Sequence, residues 1–268
     1  MKMAAIQMVS TPRVEDNLQA ARDAVAQAAR QGCELAVLPE YFCLMGLRDT
    51  DKRAVQEPFG NGPIQRAMAE LARAQGIWLV AGTLPLQSPD PQRVFNSSLV
   101  FSPQGQCVAR YDKIHLFRLD HGQEQFDEAR TIMHGRDPVG FDLPSRDGHV
   151  WRVGLSVCYD LRFPELYRAL DAHLLLVPSA FTWGTGQAHW ELLLRARAVE
   201  NLAFVAAPAQ GGVHESGRRT WGHSMVVDPW GQVLAQCEDG PAVVCCELDA
   251  EELARRRAQL PALHHRTL

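Results

Sequence analysis

Short apolar runs alternate with helix-length amphipathic stretches along the whole chain. The runs "KMAAIQMV", "LAVLP", "IWLVAGTL", "NSSLVFS", "QCVARYD", "RVGLSVCY", "HLLLVPS", "LAFVAAPA", "HSMVVD", "QVLAQCE" and "AVVCCELD" predict strands. They are short, continuous and rich in β-branched residues and leucine. Helices are predicted over 14–31, 61–75, 163–171, 187–200 and 249–258. In the first of them Val14, Leu18, Ala21, Val25 and Ala28 recur at three- to four-residue spacing, the stripe of a helix lying on a sheet. Continuous apolar strands separated by helices predict sheets that helices cover.

The pattern also repeats. "SLVFSPQGQCVA" (98–109) resembles "SMVVDPWGQVLA" (224–235), 126 positions further on, each a strand, a Pro-x-Gly turn and a second strand. "AVLPE" (36–40) parallels "LLVPS" (175–179), and "WLVAG" (78–82) parallels "AFVAA" (203–207). Two similar halves packing sheet against sheet give an α/β fold, a four-layer α-β-β-α sandwich. No Pro- or Gly-rich linker divides it, so residues 1–268 are expected to form a single domain. The tail 259–268, with "ALHHRTL", is expected to be solvated or to lie in a subunit contact.

Composition narrows the function. The chain is 46% hydrophobic and 22% charged, ordinary for a globular protein. A net charge of −4 gives no electrostatic reason to expect nucleic acid or an anionic membrane surface. No apolar run approaches the roughly 20 residues that span a bilayer. The opening "MKMAAIQMVSTPRVED" reads as a first strand rather than a signal peptide. Seven cysteines without a C-x-x-C pair form neither a disulfide framework nor a zinc module, so a cytoplasmic protein with reduced thiols is expected. His264 and His265 are adjacent, not at the i, i+4 spacing of helix-borne ligands, and "GTGQ" (184–187) lacks the Lys of a P-loop and reads as a turn feeding a helix. No metal or cofactor is implied.

Three polar residues stand just beyond apolar strands: Glu40 after "ELAVLP", Lys113 after "QCVARYD" and Cys158 after "RVGLSV". Each alone has a bland reading, a solvated loop charge or a small buried hydrophobe. Together they are a thiol, a carboxylate to take its proton and an ammonium to hold negative charge. Strand carboxyl ends are also where α/β proteins build ligand sites.

On these residues the sequence resembles the nitrilase superfamily of carbon–nitrogen hydrolases, over essentially its whole length. "LAVLPEYF" matches the family's glutamate motif, "YDKIHLF" its lysine motif and "VGLSVCYDLRFPEL" its cysteine motif, in the family's order. "FDEARTIMHG" (126–135) resembles more loosely the segment of a second active-site glutamate, which falls on Glu128. The resemblance implies the α-β-β-α sandwich and a homodimer or larger assembly. It implies a cofactor-free amidase acting on a small-molecule amide through a Cys158 thioester, with Glu40 as proton carrier. Lys113 and the backbone N–H of Tyr159 would hold the oxyanion, and Glu128 would orient substrate or Lys113.

Further residues are expected around the pocket. Tyr41, next to Glu40, would contact substrate. His115 would line the pocket or pack against Tyr111. Arg162 would hold a substrate carboxylate or pair with Glu165, with Arg118 and Arg130 as rivals. Phe181 and Trp183 would line the site or belong to the core. Arg195, Arg197 and Glu200 read as a buried ion network. "PSAFTWGTGQAHWELLLRARAVEN" (178–201) resembles the branch acting on amides of 2-oxo acids, deaminated glutathione first and 2-oxoglutaramate second. An inactive interaction protein on the same fold is the alternative from another class.

Overall fold

The computed structural model describes residues 1–121 and 124–267. Its first sheet runs in the order Ala242–Glu247, Lys2–Gln7, Leu35–Val37, Trp78–Val80, Val94–Phe101, Leu84–Gln87, with Cys107–Asp112 and Ile132–Met133 also paired to Val94–Phe101. Helices α1 (Val14–Arg30) and α2 (Pro63–Gln75) cover it. Side chains alternate across the strands. Ala4, Ile6, Ala36 and Leu38 pack with the α1 residues Leu18, Ala21, Val25 and Ala28, whereas Met3, Ala5, Leu35 and Val37 face the second sheet. The predicted stripe is therefore the face that α1 buries, and each fully buried Leu or Val in it contributes about 1.5–3 kcal/mol.

The second sheet runs Gly140–Pro144, Val150–Leu155, Leu174–Leu176, Phe204–Ala207, Met225–Val227, Val233–Gln236. Helices α3 (Pro164–Leu170) and α4 (Trp183–Asn201) cover its outer face, burying Leu166, Leu170, Trp190, Leu194 and Ala198. The four layers are those expected. The central strands of the halves match: parallel, parallel, then antiparallel pairing into a hairpin, with Leu84–Gln87 and Ile132–Met133 added in the first sheet alone. Even the register irregularities coincide, falling between Val100 and Phe101 in one hairpin and between Val226 and Val227 in the other. The last helix, α5 (Ala250–Gln259), is capped by the Asp249 carboxylate, which accepts from Glu251 N at 2.8 Å and Glu252 N at 3.2 Å.

Helix α4 begins at Trp183, so "GTGQ" is its first turn and not a lead-in loop. The reason is packing. A Cβ on Gly186 would lie 2.3 Å from Trp221 Cβ, so the glycine is there for close approach of that indole. Two hairpins escaped the hydrophobic pattern, Arg118–His121 with Glu124–Asp127, and Gly211–Val213 with Arg219–Trp221. No helix among the described residues is long and apolar enough to cross a membrane.

Candidate active site

The parallel strands of both sheets deliver their carboxyl ends to one edge. Glu40 follows Leu35–Val37 there, Cys158 follows Val150–Leu155, and Ala180 follows Leu174–Leu176. Glu40 is nearly inaccessible, and both sheets hold its carboxylate. Oε1 accepts from Asn96 Nδ2 and from Lys113 Nζ, each at 2.9 Å, and Oε2 accepts from the amide of Ala180 at 2.9 Å. Gln210 Nε2 donates to the Glu40 carbonyl at 3.0 Å. The carboxylate cannot turn without breaking several of these bonds.

Lys113 ends the strand Cys107–Asp112 and has no exposed side chain. Its amide donates to Asn96 O at 3.0 Å and its carbonyl accepts from Gly135 N at 2.8 Å. A Cβ at position 135 would sit 2.0 Å from Asp112 O, so only glycine permits this closure. Nζ reaches Glu128 as well, at 3.0 Å to Oε1 and 2.8 Å to Oε2. Glu128 opens a short turn after the hairpin that ends at Asp127, and it is fixed by Phe117 N (2.7 Å) and the Tyr41 hydroxyl (2.8 Å). The result is a buried carboxylate–ammonium–carboxylate row.

The charges set the protonation states. Burial alone would raise the Glu128 carboxyl, but the charge and hydrogen bond of Lys113 outweigh it and hold Glu128 below its ordinary value. Burial likewise opposes the Lys113 ammonium, yet Glu128 and Glu40 together hold its pKa above the usual lysine value. Both partners thus stay ionised. The Cys158 thiol goes the other way: burial, then the Glu40 charge, push it well above an ordinary cysteine, against the pull of Lys113. A neutral thiol beside a fixed carboxylate is suited to losing its proton only as it attacks.

Cys158 sits at φ +50°, in the left-handed region, and Tyr41 beside Glu40 sits at φ +56°. Such conformations cost on the order of 1–3 kcal/mol each and persist where surroundings over-determine them. Here the Cys158 amide donates to Pro178 O at 3.0 Å. Asp160, fully buried, accepts from Val157 N (2.8 Å), the Tyr111 hydroxyl (2.7 Å) and the His115 amide (3.0 Å), tying the cysteine turn to the lysine loop.

Glu40, Glu128, Cys158, Tyr159, Arg162 and Phe181 line one inner chamber of about 10 Å³, close to the lower limit for one water. Phe117, Glu128 and Arg218 are shared with an outer cleft of about 240 Å³, which Tyr41 also lines. Arg162 is not paired with Glu165: its guanidinium lies 3.4 Å from His189 Nδ1 and over the rings of Tyr159 and Phe181.

Two expected pocket residues lie elsewhere. His115 stacks on Phe163 with centroids 3.7 Å apart and places Nδ1 2.7 Å from Asp160, so it lines neither cavity. Trp183 is held against Trp221 and under the Arg219 guanidinium, away from the chamber. Arg118 and Arg130 are exposed. Of the expected ion network, Arg197 and Glu200 pair at 2.8 Å with Arg197 buried, whereas Arg195 pairs with Glu191 on the surface. Sequence reasoning did not single out Asn96, Asp160, Lys52 or Arg218. Asp160, two residues past the cysteine, had a positional signal; Lys52 and Arg218 had none. Among the described residues no three His, Cys, Asp or Glu side chains converge as metal ligands.

An α-β-β-α sandwich that brings a cysteine and a Glu–Lys–Glu row to one edge defines a hydrolase of the nitrilase type. The carbon–nitrogen hydrolase family model matches residues 2–258, and the chain belongs to that family. It is 39% identical to the deaminated glutathione amidase of Yersinia enterocolitica, over 98% of this chain and 92% of that protein. The crystal structure of the Caenorhabditis elegans NitFhit protein superposes with a TM-score of 0.89 at 38% identity, covering 99% of this chain and 65% of that one. An amidase from Nesterenkonia sp. AN1, solved with acrylamide added to its active-site cysteine, matches at a TM-score of 0.79 and 31% identity, covering 97% of this chain and 98% of that one.

Proposed function

We propose that this enzyme hydrolyses deaminated glutathione to 2-oxoglutarate and cysteinylglycine through a thioester on Cys158. The observation that carries the chemistry is the Lys113 bridge, 2.9 Å from Glu40 and 2.8 Å from Glu128, beside the chamber that holds the Cys158 thiol. The named amidase relative, similar over nearly its full length, supports the choice of substrate. Glu40 takes the thiol proton as sulfur attacks the amide carbonyl carbon. The third N–H of Lys113 and the Tyr159 amide, a first-turn donor, receive the oxyanion; one such donor is worth about 10²–10³ in rate. Glu40 then protonates the departing nitrogen and cysteinylglycine leaves. A water enters, gives its proton to Glu40 and attacks the thioester; collapse releases 2-oxoglutarate, and the proton returns to sulfur. Glu128 keeps Lys113 charged and in place. Arg162 takes the 2-oxo carboxylate, supported by its position on the chamber wall beside His189 and the rings of Tyr159 and Phe181, with no ion-pair partner among the described residues.

This reading includes a cytoplasmic setting and self-association into a homodimer or larger assembly with the tail 259–268 in the contact. Leu192 on α4 and Trp230, exposed by 67% and 48%, support association. Sedimentation would read the state directly, with a monomer contradicting it. The substrate is tested by assaying deaminated glutathione and 2-oxoglutaramate with one preparation. The longer substrate is expected to give a kcat/KM at least about tenfold higher, roughly 1.4 kcal/mol of transition-state discrimination. Equal or reversed values would make 2-oxoglutaramate the substrate.

A further inference from the structure

Among the described residues, no ion pair joins the cations that line the outer cleft to a carboxylate. Arg48, Lys52 and Arg218 line it, together with Asp49, Asp127 and Glu128. Glu128 is bound by Lys113, and Asp127 pairs with Arg130 at 3.6 Å, both cations lying outside the cleft lining. Asp49 is then the lining carboxylate without an ion-pair partner among the described residues, and Arg48, Lys52 and Arg218 have none either, while Lys113 is shared between Glu128 and Glu40. Lys52 Nζ donates to the neutral Thr131 hydroxyl at 3.3 Å and lies 5.4 Å from the Tyr41 ring centroid. Burial holds the Lys52 ammonium below its ordinary pKa, against the pull of Glu128 and Asp49. Arg218 donates to Ala180 O at 3.0 Å and stands 5.4 Å over the Phe126 ring, while its Nε is buried with no acceptor. That N–H, which no protein acceptor meets, is open to an anion entering the cleft.

We propose that Lys52 and Arg218 bind the terminal carboxylate of the leaving group, so that this end of the cleft selects acidic dipeptide amides. The inference rests on the reading of deaminated glutathione as substrate. That molecule carries a carboxylate at each end and is cut between them, so its two ends must leave Cys158 in different directions. Arg162 lines the inner chamber and not the outer cleft, Lys52 lines the outer cleft and not the inner chamber, and Arg218 stands where the two meet. The five-carbon acyl part is the smaller of the two and enters the inner chamber only as that chamber widens, whereas a dipeptide extends about 7 Å and fits the outer cleft of about 240 Å³ as it stands. Charge-assisted hydrogen bonds from Lys52 and Arg218 then complete groups that the protein leaves open.

The test compares 2-oxoglutaryl-cysteinylglycine with its C-terminal amide, which removes only the charge, in the wild type, Lys52→Met and Lys52→Arg. The wild type is expected to favour the acid by about tenfold or more in kcat/KM. Lys52→Met should reduce that preference to within about twofold, chiefly by slowing the acid, and Lys52→Arg should retain most of it. Turnover of 2-oxoglutaramate, which lacks the dipeptide, should change by less than about threefold in Lys52→Met. A wild type that does not distinguish acid from amide overturns the inference without any variant, as does a Lys52→Met enzyme that keeps the full preference. A wild type active on 2-oxoglutaramate and inactive on both dipeptide substrates would instead overturn the proposed function.

Discussion

Replacing Lys113 with methionine keeps the volume of the side chain and removes its charge. Lys113 is fully buried between Glu40, 1% exposed, and Glu128, 14% exposed, so the variant confines two carboxylates with no cation between them. Removing one partner of a buried ion pair costs about 3–5 kcal/mol. For a chain of this size each kcal/mol lowers Tm by about 2–4 °C, so a drop on the order of 10 °C is expected at neutral pH. The pH dependence carries the argument further. In the wild type Glu128 is held below its ordinary 4.5, so its ionisation stabilises the fold above that value, and the contribution is lost as pH falls through the lower folded pKa. Without Lys113, burial raises that carboxyl, and its ionisation becomes unfavourable to the fold. The gap between wild type and variant should therefore narrow between about pH 7.5 and about pH 5. Urea denaturation of the wild type, Lys113→Met and Lys113→Met with Glu128→Gln reads all of this. The double variant should recover part of the stability and none of the activity. A loss under about 1 kcal/mol, or one of equal size at both pH values, would refute the electrostatic account.

Glu40→Gln should lower kcat by at least about 10²-fold and slow alkylation of Cys158 by iodoacetamide, because the thiol then lacks its base; activity above a tenth of wild type would contradict it. Gly186→Ala should destabilise by about 1–3 kcal/mol through its clash with Trp221, whereas Gly184→Ala, which meets nothing within 4 Å, should stabilise by up to about 1 kcal/mol. The two melting curves check both signs. Asp147, beside the N-terminal ammonium at 2.9 Å and the His149 amide, has its carboxyl depressed from 3.8 to about 2. Its contribution should thus be present above pH 3.8 and vanish as pH falls toward about 2, so acid titration of the wild type and Asp147→Asn should converge only in that window.

What was legible in the sequence follows from where hydrophobic burial decides structure. The central strands and the α1 stripe are apolar because both faces of the sheets are covered, and the two halves repeat because each half solves the same packing problem. The paired strands Arg118–His121 and Glu124–Asp127 are mostly polar and carry no such period, yet the second leads into Glu128, which meets Lys113. Glu128 was found by resemblance, not by pattern. Trp183 was expected to line the site or belong to the core from the resemblance of its segment, and His115 to line the pocket or pack against Tyr111 from its place two residues after Lys113. Their side chains instead follow local partners: the Trp221 ring for one, Asp160 and Phe163 for the other. Lys52 and Arg218 stood outside any motif, because a cation's role there depends on a cleft assembled from residues 41 to 218.

The central claim is that acyl transfer passes through the Cys158 sulfur. Rapid acid quench of the wild type during turnover of deaminated glutathione, followed by peptide mass analysis, tests it most directly. A 2-oxoglutaryl group is predicted on the peptide containing Cys158, absent when substrate is omitted and absent from Cys158→Ala, which should also be inactive while keeping its fold. Steady turnover by Cys158→Ala, or an acyl group on any other residue, would contradict the account.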